Sequence, residues 1–439
     1  MTVTAADLFC GIGGFHAVAS ALGFESVCAY DSDKNCREIY ERNWQLTPGG
    51  DIEQFASESQ VTVPPHSVLF AGFPCQPFSK SGAQRGMRET RGTLFFNIAR
   101  VLEERRPRLV VLENVRNLWS ARHREDWDLI ISILRDIGYR VSGTPLVSSP
   151  HRIPPGLGGT PQVRERIYIN ATYVPPNLRD QFDLVAPSLD PHEAGLLWDP
   201  TEWKLANFIP TLRRRLNHEL HLSEEEVIWI DTWDDFRRRL GQNGVRLPGF
   251  PLWLDVWTGE LTSDPSMPGW KRDFISKNYN FWTANRRVID RWLSENHAVL
   301  SFPASRRKFE WQAGDLSSAW KGLIQLRPSG IRVKVANYIP AAVAMTQTSI
   351  FGPTKRRIST AELARLQGFP SWFSFEGQAP SQSYKQLGNA ISIASAYHSV
   401  KAHIKRDQHL LKRQRRQDIV DLVQSASDNP FDRLDTLKA

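Results

Sequence analysis

Residues 3–15 read Val3-Thr4-Ala5-Ala6-Asp7-Leu8-Phe9-Cys10-Gly11-Ile12-Gly13-Gly14-Phe15, an apolar run that breaks into a glycine-rich turn and continues as an amphipathic stretch over 14–22. The pattern then repeats. An apolar run at 27–30 precedes an amphipathic one at 33–43, 67–71 precedes 93–105, 109–113 precedes 126–138, and a further apolar run follows at 166–170. Short apolar runs interleaved with helical periodicity predict a doubly wound α/β fold, a parallel sheet with helices on both faces. Ligands of such sheets sit at the carboxyl ends of the strands, so the residues that follow each run carry the function.

After the first run, Gly11 and Gly13 let bare backbone approach a ligand closely, although such a turn can also be purely structural. Position 16 is His, so the third glycine of the dinucleotide fingerprint is missing and a nicotinamide cofactor is disfavoured. The second run ends in Tyr30-Asp31-Ser32-Asp33, where an acid can accept both hydroxyls of a ribose. The alternative is that Asp31 or Asp33 caps the helix starting near Lys34. Asp51-Ile52 offers another acid beside an apolar wall.

The third run leads into Gly72-Phe73-Pro74-Cys75-Gln76-Pro77-Phe78-Ser79. A cysteine clasped between two prolines at a strand end stands on a stiff loop rather than in a core, and its thiolate could serve as a nucleophile. The fourth run ends in Glu113-Asn114-Val115; desolvation at the mouth of an apolar strand raises a carboxyl pKa and equips it to donate a proton. Gln162-Val163-Arg164-Glu165-Arg166 puts two guanidinium groups on one face of a strand, for an anion or for structural ion pairs. Near the C-terminus stand Arg365-Leu366-Gln367-Gly368-Phe369-Pro370 and Gln386-Leu387-Gly388-Asn389-Ala390.

Composition sets the partner class. The 439 residues hold 55 Lys and Arg against 47 Asp and Glu, and the resulting +8 favours a polyanion such as nucleic acid. Four cysteines without a CxxC pair indicate neither a disulfide framework nor a zinc site. The apolar runs fall short of the roughly 18 residues that a membrane helix needs, which predicts a cytosolic protein. From 173 to about 354 the texture changes: proline-rich stretches, no clear period, and eleven of the fifteen Trp, expected mostly in a core. Residues 401–416 carry seven Lys or Arg against Asp407 alone, either a solvated helix face or a DNA contact.

Taken in order, these six motifs resemble the cytosine-5 DNA methyltransferases, over roughly 1–172 and 355–400. The resemblance implies a Rossmann-like, S-adenosylmethionine-dependent catalytic domain at 1–172 plus 378–400. A smaller target-recognition domain would fill 173–377, and a basic tail 401–439. It also implies that Cys75 attacks C6 of a cytosine flipped out of double-stranded DNA, that Glu113 serves N3, and that Arg166, supported by Arg164, holds the base oxygen. Cofactor roles carry over to Phe9, Gly11, Gly13, Asp31, Asp51, Ile52, Pro74, Leu94 and Asn389. The family often has an aromatic after the ribose acid; Ser32 stands there instead. Ser81 and Arg85 are the expected DNA contacts of a closing catalytic loop. In the variable region Arg327 and Arg332, within Arg327-Pro328-Ser329-Gly330-Ile331-Arg332-Val333-Lys334, suit phosphate or base edges, or else lie on a solvated loop. The stretch Ser149 to Thr160 reads as an elaborated loop near the DNA. A monomeric bacterial restriction–modification methylase working beside an endonuclease, without a metal, is the implied setting. The alternatives are methylation of transfer RNA and a non-catalytic DNA-binding regulator.

Overall fold

The computed structural model describes residues 2–57, 59–74, 94–190, 197–209, 220–342 and 348–437. The chain forms two compact units: residues 1–203, 340–346 and 360–439, and residues 204–339 with 347–359.

The first unit is built on a seven-stranded sheet. Its strands are β1 (Thr4–Leu8), β2 (Glu25–Tyr30), β3 (Val68–Gly72), β4 (Leu109–Val115), β5 (Tyr139–Val141), β6 (Leu146–Ser148) and β7 (Arg166–Tyr173). They lie in the order β2-β1-β3-β4-β7-β5, with β6 also paired to β7. Between the first four strands run α1 (Gly14–Leu22), α2 (Lys34–Trp44) and α3 (Leu94–Arg105), and α4 (Arg124–Ile137) follows β4. These helical crossovers make β1 to β4 parallel, as the alternation predicts. The last strand departs from that pattern. No helix longer than a single 3-10 turn separates β6 from β7, so β7 enters antiparallel to β4. In-facing residues divide between the two faces: Leu69, Val110, Leu112 and Ile167 join Phe95, Ile130 and Leu134 in one core, while Phe70 stacks on Phe15 across the other.

The boundaries that the resemblance implied differ from these units. Residues 173–203 belong to the first, where Val174 and Leu178 pack on Leu410 and the Trp203 indole donates to the His151 carbonyl at 2.7 Å. Residues 360–377 belong there too, with α9 (Thr360–Gln367) tied down by the Gln367 amide on the Leu387 carbonyl at 2.6 Å. The basic stretch is no separate tail. After α10 (Pro380–Asn389) comes α11 (Ile393–Arg413), which lies against β7 and is continued by α12 (Gln417–Ser425) and α13 (Phe431–Leu434). Three of its bases are spent internally: Lys401 on Asp428, Arg406 on Asp407, and Arg416 on Asp418.

The second unit has α5 (Glu224–Gln242), opened by a Ser223–Glu226 capping box, then α6 (Leu254–Trp257), α7 (Gly269–Ala284) and α8 (Arg286–Glu295). They accompany a six-stranded sheet of β8 (Leu252–Trp253), β9 (Lys308–Gln312), β10 (Leu323–Arg327), β11 (Gly330–Lys334), β12 (Ile350–Phe351) and β13 (Arg356–Arg357), ordered β13-β12-β10-β11-β9-β8. Its core is aromatic: Trp233, Trp257, Trp292, Phe236 and Phe309 are buried together, so most tryptophans of this region serve packing.

Candidate active site

The carboxyl ends of β1 to β4 enclose a cavity of about 450 Å³, within the usual range for a small-molecule site. Eight of the nine positions expected to hold a cofactor line it: Phe9, Gly11, Asp31, Asp51, Ile52, Pro74, Leu94 and Asn389.

Each is placed by local structure. Phe9 sits at φ 60° and Gly11 at φ 53°, left-handed conformations that fold the turn back over the strand ends. The Gly11 N–H donates to Asp31 Oδ2 and the Asp33 N–H to Asp31 Oδ1, both at 2.8 Å. The capping question is thereby resolved. Asp33, not Asp31, caps α2, accepting from the Asn35 and Cys36 N–H groups, and Asp31 is held facing the cavity. Burial pushes the Asp31 carboxyl up, and its two backbone donors work against that shift. Asp51 caps the short turn Ile52–Gln54 and so fixes the neighbouring apolar wall.

Gly13 is the exception. It does not line the cavity; at φ 90°, a Cβ there would come within 2.0 Å of the Trp44 indole nitrogen. That indole donates to the Ile12 carbonyl at 3.0 Å, so Gly13 lets Trp44 brace the loop from behind. At Gly11 an added Cβ would meet nothing within 4 Å, so the space beside it is open.

Glu113, Arg164 and Arg166 line the same cavity. Arg166 Nε stands 3.0 Å from Glu113 Oε1, an ion pair between adjacent strands. Burial pushes the Glu113 carboxyl up, against the opposing pull of Arg166 and Arg164. Arg164 plays a different part from its neighbour. It is fully buried, and its guanidinium donates to the Ala342 carbonyl at 3.1 Å and the Gly388 carbonyl at 2.9 Å. Burial, reinforced by Arg166, pulls it down to about 9, which still leaves it charged at neutral pH. Its own N–H is held by Ser149 Oγ at 2.9 Å, and Ser149 meets His151 Nδ1 at 2.8 Å. His151 and Ser149 are buried, so the core of that stretch props Arg164 rather than facing a solvated partner.

Sequence reasoning left out Asn114. Its amide donates to the Phe73 carbonyl at 3.0 Å and its Oδ1 accepts the Val115 N–H at 2.8 Å, which pins the backbone just ahead of Pro74. Cys36 and Gln386 also line the cavity; Gln386 opens the late motif Gln386–Ala390 with no role given to it, and no motif pointed to Cys36. Cys75, Ser81 and Arg85 lie outside the described residues. Arg327 and Arg332 are placed in the second unit, on β10 and β11.

The site suits a nucleoside ligand: an acid at the end of β2, a second at Asp51, the Phe9 ring and the Ile52 wall surround one space. By class, then, this is a doubly wound α/β protein with a nucleoside cavity and a buried acid–guanidinium pair on its rim. A sequence profile of the C-5 cytosine-specific DNA methylases matches residues 3–405. The chain belongs to that family and is a DNA cytosine-5 methyltransferase, with S-adenosylmethionine as methyl donor. It is similar to type II methyltransferase M.AluI of Cellulosimicrobium cellulans, 40% identical over 92% of each chain. It is also similar to M.BanI of Aneurinibacillus aneurinilyticus, 30% identical over 90% of this chain and 94% of that one. M.HhaI of Haemophilus parahaemolyticus is 39% identical over 37% of this chain and 47% of its own. Among solved structures, a prophage-encoded E. coli protein described as a DNA modification methyltransferase superposes with a TM-score of 0.51 at 17% identity, over 93% of this chain and all of that one, a likeness of fold. Among the described residues no group of His, Cys, Asp and Glu could hold a metal ion, and no helix is long and apolar enough to cross a membrane.

Proposed function

We propose that this enzyme methylates C5 of a cytosine flipped out of a short, specific duplex DNA sequence, through a covalent bond between Cys75 and C6, as the methylase of a bacterial restriction–modification system. The observation that carries the reading is the Glu113–Arg166 pair at 3.0 Å on the rim of the cofactor cavity, beside a Phe73 carbonyl locked by Asn114 one residue ahead of Pro74 and Cys75. Groups for handling a base and groups for handling a nucleoside cofactor thus share the ends of adjacent strands.

The chemistry requires that arrangement. Cytosine C5 is a poor nucleophile until a thiolate adds at C6 and N3 gains a proton or a hydrogen bond, which turns the ring into an enamine. Glu113, its carboxyl pushed up by burial, serves N3, and Arg166 holds the base oxygen. S-adenosylmethionine supplies the methyl group as an electrophile at sulfonium. A base then takes the C5 proton, and the electron pair of the C5–H bond expels Cys75. The eight cavity residues, Phe9 to Asn389, hold the cofactor, with Asp31 at the ribose and Asp51 and Ile52 around the adenine. Ser81, Arg85, Arg327 and Arg332 meet DNA, and the second unit reads the target. The type II names of the relatives support a restriction–modification role; an endonuclease partner, monomeric action and a place in the cytosol are further parts of the proposal.

Transfer of labelled methyl to unmethylated duplex DNA, mapped at base resolution beside an RNA control, tests the proposal. C5 methylation within one short motif is expected. Transfer to RNA alone, or tight DNA binding with no transfer, would overturn it.

A further inference from the structure

The sheet of the second unit has two unlike faces. Phe309, Trp311, Ile324, Ile331 and Val333 point into the aromatic core. The alternate positions of the same three strands are Lys308, Glu310 and Gln312 on β9, Arg332 and Lys334 on β11, and Gln325 and Arg327 on β10, with Leu323 the apolar member. Pairing aligns them in rows: Glu310 faces Arg332, which faces Gln325, and Gln312 faces Lys334. Four cations against one acid give it a net charge of +3.

Glu310 organises it. Only 5% exposed, its carboxylate takes Arg327 Nη2 at 2.5 Å on one oxygen and Arg332 Nη2 at 3.0 Å on the other, and it also accepts from the Gln312 amide. Each arginine is thus held by one end of its fork. A Cβ at Gly330 would lie 2.9 Å from Lys308, so glycine there keeps β11 close against β9. One buried carboxylate between two guanidiniums leaves excess positive charge on this face, which is buried at Leu323 and half-buried at Gln325, Arg327, Arg332 and Lys334.

We propose that this polar face of β9, β11 and β10 lies against duplex DNA, and that Glu310, by fixing Arg327 and Arg332 as one rigid pair, sets which bases the enzyme accepts. The proposal rests on the reading of the chain as a sequence-specific DNA methyltransferase. Strands can enter the major groove, arginine reads guanine O6 and N7, glutamine reads adenine N6 and N7, and lysine meets phosphate. Glu310 is a positioning residue here: it touches no base and acts through the arginines.

The test uses the full-length enzyme, labelled S-adenosylmethionine and a duplex library randomised around a central cytosine. Glu310→Gln and Arg332→Gln are expected to reduce the preference for the best site over its best one-base neighbour by about tenfold or more. Turnover of Glu310→Gln at saturating best site should stay within about threefold of the parent. Lys334→Met should instead weaken all sites alike and reduce the salt slope by about one. Wild-type profiles and KM values in Glu310→Gln and Arg332→Gln, with melting and cofactor binding intact, would overturn the proposal and leave the trio a structural ion cluster. Should Glu310→Gln fail to fold, Arg332→Gln and Gln325→Ala decide by the same readout. A parent that methylates no duplex sinks the underlying reading instead, so the two failures are distinct.

Discussion

Strand β7 carries a buried charged cluster at each end, and the two are resolved in opposite directions. At its start, Arg166 meets Glu113 through one contact at 3.0 Å, and burial keeps that carboxyl pushed up. Near its far end, Thr172 Oγ1 donates to Asp407 at 2.7 Å, Arg406 approaches at 2.7 Å, Arg140 at 3.3 Å, and His403 completes the group. There burial also pushes the carboxyl up, but the His403 imidazole 3.6 Å away and the charge of Arg406 outweigh it, and Asp407 is held far below the carboxylate range. Both acids are buried; what differs is how many donors converge on them. A fully compensated carboxylate is a structural fastener, whereas an under-compensated one can still move a proton.

The largest effect that would break this contrast is on turnover. Glu113→Gln is expected to lower kcat by about 100-fold or more, the ordinary worth of a general acid, measured at saturating DNA and cofactor. The same substitution should cost little thermal stability, because burial works against the ionised form of Glu113. Asp407→Asn should show the reverse: a loss of about 3–5 kcal/mol in denaturant unfolding, from stranding Arg406 and Arg140, with near-parental turnover at low temperature.

Titration sharpens the comparison. The folded pKa of Glu113 lies above its unfolded value, so its contribution to stability is complete below about pH 4.3 and is lost as pH rises through the folded value. The parent should show a limb of kcat that falls with rising pH over that range, and Glu113→Gln should lack it. For Asp407 the folded value lies lower, so its stabilisation is present at neutral pH and disappears as pH falls below about 3.9. A stability profile of Asp407→Asn that ran parallel to the parent's in acid would contradict this assignment.

A smaller effect separates two glycines. Gly13→Ala drives a methyl group into Trp44 and should cost both stability and cofactor affinity. Gly11→Ala meets no protein neighbour, so its cost in stability should be that of the left-handed backbone, about 1–2 kcal/mol, while the methyl group enters the cofactor cavity and lowers cofactor affinity. Calorimetric melting with and without S-adenosylmethionine measures both.

Much of the first unit was legible because its information is local. An apolar run of five residues followed by Gly11 or Pro74 announces both the strand and the functional end of the strand; that rule pointed to Gly11 and Asp31, whereas Leu94 and Asn389 came only from the family resemblance. What was not legible depends on distant partners. Nothing near Arg164 foretells that its guanidinium is taken up by the carbonyls of Ala342 and Gly388, or near Gly13 that Trp44 fills the space behind it. The reversed direction of β7 follows from a missing crossover helix, which an apolar run cannot signal. The basic stretch after residue 400 looked like a free tail because Asp407 seemed one acid among seven bases; its burial against β7 makes it the centre of the cluster instead. Arg327 and Arg332 could be picked out by type, but Glu310, which binds both, lies well upstream.

The most direct test of the central claim is covalent capture. Duplex DNA carrying 5-fluorocytosine at the target offers C5 no proton to lose, so a thiol added at C6 cannot be expelled after methyl transfer. Peptide mass spectrometry of the parent incubated with this DNA and S-adenosylmethionine should find the nucleotide on Cys75, absent in Cys75→Ser and much reduced in Glu113→Gln. Capture on another residue, or continued methylation of ordinary DNA by Cys75→Ser, would contradict the account.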